Sequence, residues 1–279
     1  MKALFFGTSA FAVPSLRAMA ASTQLAGVVT QPDRPAGRGH KLAPSPVKRA
    51  ALELGLQVHE PERLKEFAAA LAGEDFDLFA LASYGRVLPQ ALLDLPRLGS
   101  LNVHPSLLPK YRGATPIQTA LRNGDAETGV TIMLMDAGLD TGDVVSSERV
   151  TIGPDETYGE LHDRLARLGA DLLAGAVAIA SERDFLPHAA QRGEPVLTKP
   201  IAKDDLVVDL AWPAQRVVDA VRAYSPQPAA RATIDGETVK LLRAHVGAGG
   251  TLAIDELIAP NRGRMSWTQY EQSRRASSA

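Results

Sequence analysis

SLNVHPSLLPKYRGATPIQ, residues 100–118, opens as an apolar run, stops at a proline and restarts as a helix. SLNV (100–103) is the last of four such runs, after ALFF (3–6), LAGVV (25–29) and DLFALA (77–82), with helical patterns between them. Short continuous apolar runs suit strands covered on both faces. Their alternation with helices predicts an α/β fold, a Rossmann-like, mostly parallel sheet. Helix starts fall between the runs. Ser45-Pro46 pairs an N-cap hydroxyl with a proline at the first helical position, where its missing N–H costs nothing. Thr115-Pro116-Ile117-Gln118 and Thr157-Tyr158-Gly159-Glu160 both have capping-box spacing, and the second opens the longest helix of the chain. GVTIMLMD (129–136) and DVVSSERVTI (143–152) read as two further strands, joined by AGLDTG.

Beyond residue 186 the pattern changes. Residues 187–203 are polar and proline-spaced, as in a linker. Residues 204–279 carry one helix, PAQRVVDAVRAY, and short strand-like pieces with an Asp235-Gly236 turn, predicting a small β-rich domain. The tail EQSRRASSA is expected to fray.

The bulk numbers bound the function. The chain has 279 residues, 45% hydrophobic and 22% charged, with a formal charge of −2. That balance argues against coating nucleic acid with the whole surface, while leaving room for a local basic patch. No cysteine is present, which excludes disulfides, thiolate nucleophiles and cysteine-ligated metals and fits a cytoplasmic chain. No run approaches the length of a membrane span. The histidines outside the 100–118 stretch are too scattered for recognisable metal spacing. GxGxxG, the P-loop lysine pattern and a GxSxG elbow around Ser106 are all missing.

The chemistry gathers where the fourth strand ends, the usual place for ligands in parallel α/β sheets. Asn102 and His104 are two apart on one extended strand, so their side chains share a face. An amide donor and an imidazole aimed at one spot suit a carbonyl oxygen that becomes an oxyanion. Asp140, in the turn MDAGLDTGD, could sit beside His104 and favour its protonated form. Asp136, Asp140 and Asp143 are equally ordinary turn formers, and spacing alone does not choose.

SLNVHPSLLPKYRGATPIQ followed by GDAETGVTIMLMDAGLDTGDV resembles the formyltransferases that use 10-formyltetrahydrofolate. The resemblance implies that residues 1–186 form the catalytic domain and that Asn102, His104 and Asp140 are its catalytic set. The first two would polarise the formyl oxygen, and Asp140 would tune His104 and help shuttle the amine proton, without a metal or a covalent enzyme intermediate. It further implies that Ser106, Leu107, Leu108 and Pro109 line the tetrahydrofolate site, with Arg86, Val87 and Leu88 on the pterin wall; Val87 and Leu88 read equally well as core.

The acceptor is decided by a different stretch, QPDRPAGRGHKLAPSPVK (31–48). Residues 31–49 carry five basic side chains against one acid, a local +4. A run of tRNA phosphates explains such a limb, whereas a small nucleotide amine does not need one. QPDRPAGRG and RGATPIQ place the resemblance in the branch acting on initiator methionyl-tRNA, and Arg38 and Lys41 would reach the acceptor arm. A small-amine formyltransferase and a non-catalytic folate or RNA binder are the rival readings. A monomer is expected. The second domain departs from the branch: roughly twenty residues, enough for two strands, are missing between LLRAHVGAGG and TLAIDELIA, and Gln227 replaces a usual tryptophan. An OB-like barrel there is expected to be incomplete. Trp212, Tyr224 and Trp267 could stack on bases or belong to the core.

Overall fold

The computed structural model describes residues 1–36 and 41–277. Two compact units draw on interleaved segments: Met1–Arg112, Gly129–Arg149 and Asp163–Leu197 in the first, Gly113–Thr128, Val150–His162 and Thr198–Ala279 in the second.

Five strands of the first unit run parallel to one another: β1 (Lys2–Gly7), β2 (Gln24–Val29), β5 (Val58–His59), β6 (Leu78–Ala82) and β7 (Ser100–His104). The predicted strand pair follows as β9 (Glu127–Leu134), antiparallel to β7, and β10 (Val144–Thr151), giving the order β10-β9-β7-β6-β1-β2-β5. Around the sheet run α1 (Ala12–Ser22), α2 (Pro46–Glu53), α3 (Leu64–Leu71), α4 (Gln90–Leu93) and α6 (Tyr158–Arg183). All five residues of β6 are buried, as a strand covered on both faces requires. Phe6, Phe76 and Phe79 pack with Leu4, Leu81 and Tyr84 in one core cluster, each such side chain contributing about 1.5–3 kcal/mol through burial.

Two helix starts form as expected. Ser45 Oγ accepts from Lys48 N–H at 3.0 Å. In the second unit Thr157 N–H donates to Glu160 Oε2 at 2.9 Å, and Glu160 N–H returns to Thr157 Oγ1 at 3.4 Å. The third differs. At α5 (Pro116–Arg122) the Thr115 hydroxyl makes no cap and donates instead to Lys199 O at 2.8 Å.

In the basic segment β3 (Arg34–Ala36) pairs antiparallel with β4 (Lys41–Ala43). Its stem is fastened at two points. Lys48 Nζ lies 2.9 Å from Asp33 Oδ1 and 2.7 Å from Glu60 Oε2, and these carboxylates push the Lys48 pKa up. Gln31 Nε2 donates to Tyr84 O at 2.7 Å while its Oε1 accepts from Arg34 at 2.6 Å. Lys48 and Asp33 therefore offset one another within the stem, and Arg34, Arg38, Lys41 and Arg49 still carry the +4 of residues 31–49.

In the second unit α7 (Ala214–Tyr224) packs with a four-stranded antiparallel sheet, β12 (Ala230–Ile234), β13 (Glu237–Val246), β14 (Leu252–Ala259) and β15 (Gly263–Ser266), each paired with the next in chain order. β8 (Arg112–Gly113) and β11 (Leu197–Thr198) are two-residue strands outside both large sheets. Asp235 and Gly236, at φ 47° and 85°, make the first hairpin turn in the mirror-image conformation that strand twist favours. Where the missing segment was expected, β13 and β14 are joined by a tight link closed by Gly247 N–H to Thr251 O at 2.7 Å.

Where fraying of residues 271–279 was expected, 271–277 are helical and 278–279 lie outside the described residues. Trp267–Ser277 forms helix α8. Ser266 N–H donates to Gln269 Oε1 at 2.9 Å and Gln269 N–H donates to Ser266 Oγ at 3.3 Å, a reciprocal capping box. Tyr270, 1% exposed, anchors the helix in the core. Tyr224 is buried in the same core, Trp212 lies under Arg216 with its ring centroid 3.9 Å from Cζ, and Trp267 sits beside Tyr270.

Candidate active site

The end of β7 places Asn102 and His104 as strand alternation demands. Asn102 stands opposite Leu81 of β6 and Met133 of β9, and His104 opposite Thr131. His104 is buried, and its Nδ1 lies 3.6 Å from Asp140 Oδ2. The chain thus brings Asp140 to His104 across 36 residues. The three turn aspartates divide their work. Asp136 Oδ1 accepts from Gly138 N–H and Thr141 Oγ1, forming the turn. Asp143 pairs with His188 at 2.8 Å, and Asp140 faces the imidazole. Asp140 has φ 52°, the left-handed region that aspartate tolerates better than most residues. At Gly142 a Cβ would lie 1.8 Å from Leu134 O, so only glycine lets the turn pass so close to β9.

His104 Nε2 lies 3.0 Å from Tyr111 O. A carbonyl oxygen only accepts, so this contact puts a proton on Nε2 and leaves Nδ1 facing Asp140. Burial pushes the His104 pKa below the usual imidazole value, and the Asp140 charge and Tyr111 carbonyl oppose that shift without cancelling it. Asp140 acts in the expected direction, but desolvation outweighs it, and the imidazole is neutral near pH 7. A proton arriving at Nδ1 would be braced by Tyr111 O on one side of the ring and Asp140 on the other. Asn102 makes no side-chain hydrogen bond to another described residue, which leaves its amide available to a ligand.

The SLLP segment is held from behind. Thr131 Oγ1 donates to Ser106 O at 2.7 Å and accepts from Leu108 N–H at 3.2 Å, and Ser106 Oγ donates to Lys110 O. A Ser106 hydroxyl so engaged suits a structural role. In the neighbouring loop Arg86 donates to Pro61 O and Glu62 O, both at 2.8 Å. Val87 is 81% exposed, whereas Leu88 lies within the core cluster with Tyr84. Of the basic limb, Arg38 lies outside the described residues, and Lys41 is placed by its backbone in β4.

Comparison with known proteins decides the family. Residues 1–177 match the formyl transferase family model and residues 200–264 match the formyl transferase C-terminal domain. The methionyl-tRNA formyltransferase of Paracoccus denitrificans (strain Pd 1222) is 48% identical over 256 residues, covering 89% of this chain and 84% of its own length. The chain belongs to the methionyl-tRNA formyltransferase family. A second relative of that name, from Symbiobacterium thermophilum, is 48% identical over 88% of this chain and 76% of its own. Among solved structures, the methionyl-tRNA formyltransferase of Clostridium thermocellum shares the fold with a TM-score of 0.62 at 11% identity, covering 93% of this chain and all of that one. The Helicobacter canadensis N-formyltransferase, solved with folinic acid and dTDP-3-aminofucose, gives 0.67 at 19% identity, covering 88% of each chain.

Three contacts of the site were not read from the sequence. Thr131 was readable in principle, because antiparallel pairing of GVTIMLMD with SLNVH sets it opposite His104. The carbonyl of Tyr111 and the amide of Gln191, described below, left no pattern to find.

Proposed function

We infer that this chain transfers the formyl group of 10-formyltetrahydrofolate to the amino group of initiator methionyl-tRNA, the reaction that gives its family its name. The observation that carries the site assignment is the meeting of His104 Nδ1 with Asp140 at 3.6 Å, beside an Asn102 amide on the same strand face. The donor supplies the formyl group. Asn102 donates to its oxygen, where negative charge develops as the amine attacks. Neutral His104 takes the amine proton at Nδ1, Asp140 stabilises the imidazolium that results, and the proton passes on to the folate nitrogen as its bond to the formyl carbon breaks, releasing tetrahydrofolate and restoring the neutral imidazole. Ser106, Leu107, Leu108 and Pro109 hold the folate, with Arg86, Val87 and Leu88 as the pterin wall; exposed Val87 supplies apolar surface, and buried Leu88 contributes through the loop it anchors. Arg38 and Lys41 contact acceptor-arm phosphates, giving the basic segment a role that a small amine would not need. We read the protein as a cytoplasmic monomer that needs no metal.

The test is one assay. Purified protein with 10-formyltetrahydrofolate and charged initiator tRNA is expected to yield formyl-methionine. Formate release independent of tRNA, or equal formylation of a ribonucleotide amine, overturns the assignment.

A further inference from the structure

The turn that carries Asp140 is gripped by a residue from the polar segment after α6. Gln191 Nε2 donates to Asp140 O at 2.9 Å and to Gly142 O at 2.8 Å. Its Oε1 accepts twice from Arg112, from Nε at 3.1 Å and Nη2 at 2.7 Å. A side-chain amide has two donor and two acceptor positions, and here all four are engaged. The segment is itself fixed. Ala189 and Val144 exchange both backbone hydrogen bonds, at 2.8 and 2.9 Å, and His188 pairs with Asp143. Arg112, the other holder, has its backbone N–H on Val196 O at 2.9 Å.

We propose that Gln191 is a positioning residue for the reaction: by holding the carbonyls on both sides of Thr141 it fixes the direction in which the Asp140 carboxylate points, and Arg112 orients the amide that does so. The inference rests on the reading of Asp140 as a catalytic group. Three features favour a site role over simple anchoring of the segment. Both donors are spent on the Asp140 turn and none on the segment's own backbone. The gripped residue has a left-handed backbone, which needs support to persist. The carboxylate it aims stands 3.6 Å from Nδ1, a separation that a small rotation of the turn would change in proportion. Misplacement on the ångström scale can cost about a hundredfold in rate.

The experiment compares Gln191→Met, which keeps the shape and removes the amide, with Gln191→Glu. The latter keeps an oxygen for Arg112 but turns a carboxylate oxygen toward two carbonyls. Asp140→Asn is the control, and kcat, both KM values, the pH profile of kcat/KM and folate binding are measured for each. Both Gln191 variants are expected to lose about ten- to a hundredfold in kcat, with folate affinity kept. The acid limb of the profile should move to lower pH, because a misaimed Asp140 raises the His104 pKa less. If Asp140→Asn is slow while both Gln191 variants turn over at the wild-type rate, the proposal fails and the reading of Asp140 stands. If Asp140→Asn is as fast as wild type, the reading of Asp140 fails. If the Gln191 variants lose folate binding and kcat in parallel with an unmoved pH profile, the residue is a general support and the proposal is overturned. A Gln191→Met chain that does not fold leaves Gln191→Glu to decide by the same measurements.

Discussion

Gln31 and Tyr84 are joined by a 2.7 Å hydrogen bond from the side-chain amide to the backbone carbonyl, which ties the stem of the basic segment to the loop carrying Arg86 and Val87. One side chain thus serves both the proposed tRNA limb and the proposed folate wall. Gln31→Leu removes the bond to Tyr84 O and the one from Arg34. Each is worth about 0.5–1.5 kcal/mol, so we expect both KM values to rise by about three- to tenfold, with kcat little changed. Steady-state kinetics with each substrate varied in turn checks this, and unchanged KM values for both would show that the two elements work independently.

The depressed His104 pKa makes a signed prediction. A proton acceptor must be neutral, so the acid limb of kcat/KM should lie below the ordinary histidine value of about 6.5. Removing the Asp140 charge takes away a raising influence, and Asp140→Asn should shift the limb further down while lowering the plateau by about a hundredfold or more. Activity that is instead lost as pH rises through the His104 pKa would mean that the protonated imidazole is the active form. Stability follows the same linkage. With the folded pKa lowered, the unfolded chain gains the proton first as pH falls below about 6.5. Wild type should therefore lose stability across that window, and His104→Asn should lose less in urea titrations at pH 7 and 5.

In the second unit Asp219 and Arg222 form a buried pair one helical turn apart, 7% and 8% exposed, with Nε and Nη2 both 2.8 Å from Oδ1. Gln215 adds a bond to the same oxygen at 3.2 Å. Removing one partner leaves an uncompensated buried charge, so Asp219→Ala should cost about 3–5 kcal/mol of stability. Denaturant melts measure it, and a loss under 1 kcal/mol would mean that water replaces the carboxylate.

At the start of α6 the Thr157 backbone N–H and hydroxyl, with Arg243, hold the Glu160 pKa down to about 2. A depressed carboxyl contributes stability above its unfolded value near 4.5 and loses it as pH falls through about 2. Thr157→Ala should cost about 1 kcal/mol at pH 7 and less at pH 2. Equal losses at the two pH values would assign the effect to packing.

Much of the fold was legible because its causes are local. Continuous apolar runs mark β1, β2, β6 and β7, and alternation across two residues places Asn102 and His104 on one face before any tertiary contact is known. The capping boxes divide instructively. Thr157 and Glu160 reach only each other and Arg243. Thr115 has the same spacing but is drawn to Lys199 O, a competitor 84 residues away that no window reveals. Ser266-Trp267-Thr268-Gln269 carried a capping box in plain view, overlooked because the polar residues after it suggested fraying; Tyr270 outweighs them by burial. The site was legible to the same extent. Residue types indicated what Asn102, His104 and Asp140 could do. Which of three aspartates faces the imidazole depended on a turn in which Asp136 takes the hydroxyl of Thr141 and His188 takes Asp143.

The interleaving of the two units has a bearing on how this protein can be cut and recombined. A fragment beginning at Thr198 would leave behind Arg122, whose guanidinium meets the Tyr224 hydroxyl at 3.2 Å, and Gly153, whose carbonyl accepts from Arg222 at 3.3 Å. Grafting the smaller unit onto another enzyme of the family therefore requires three exchanges, at 113–128, 150–162 and 198–279. A single crossover in the linker would separate residues that depend on one another for their hydrogen bonds.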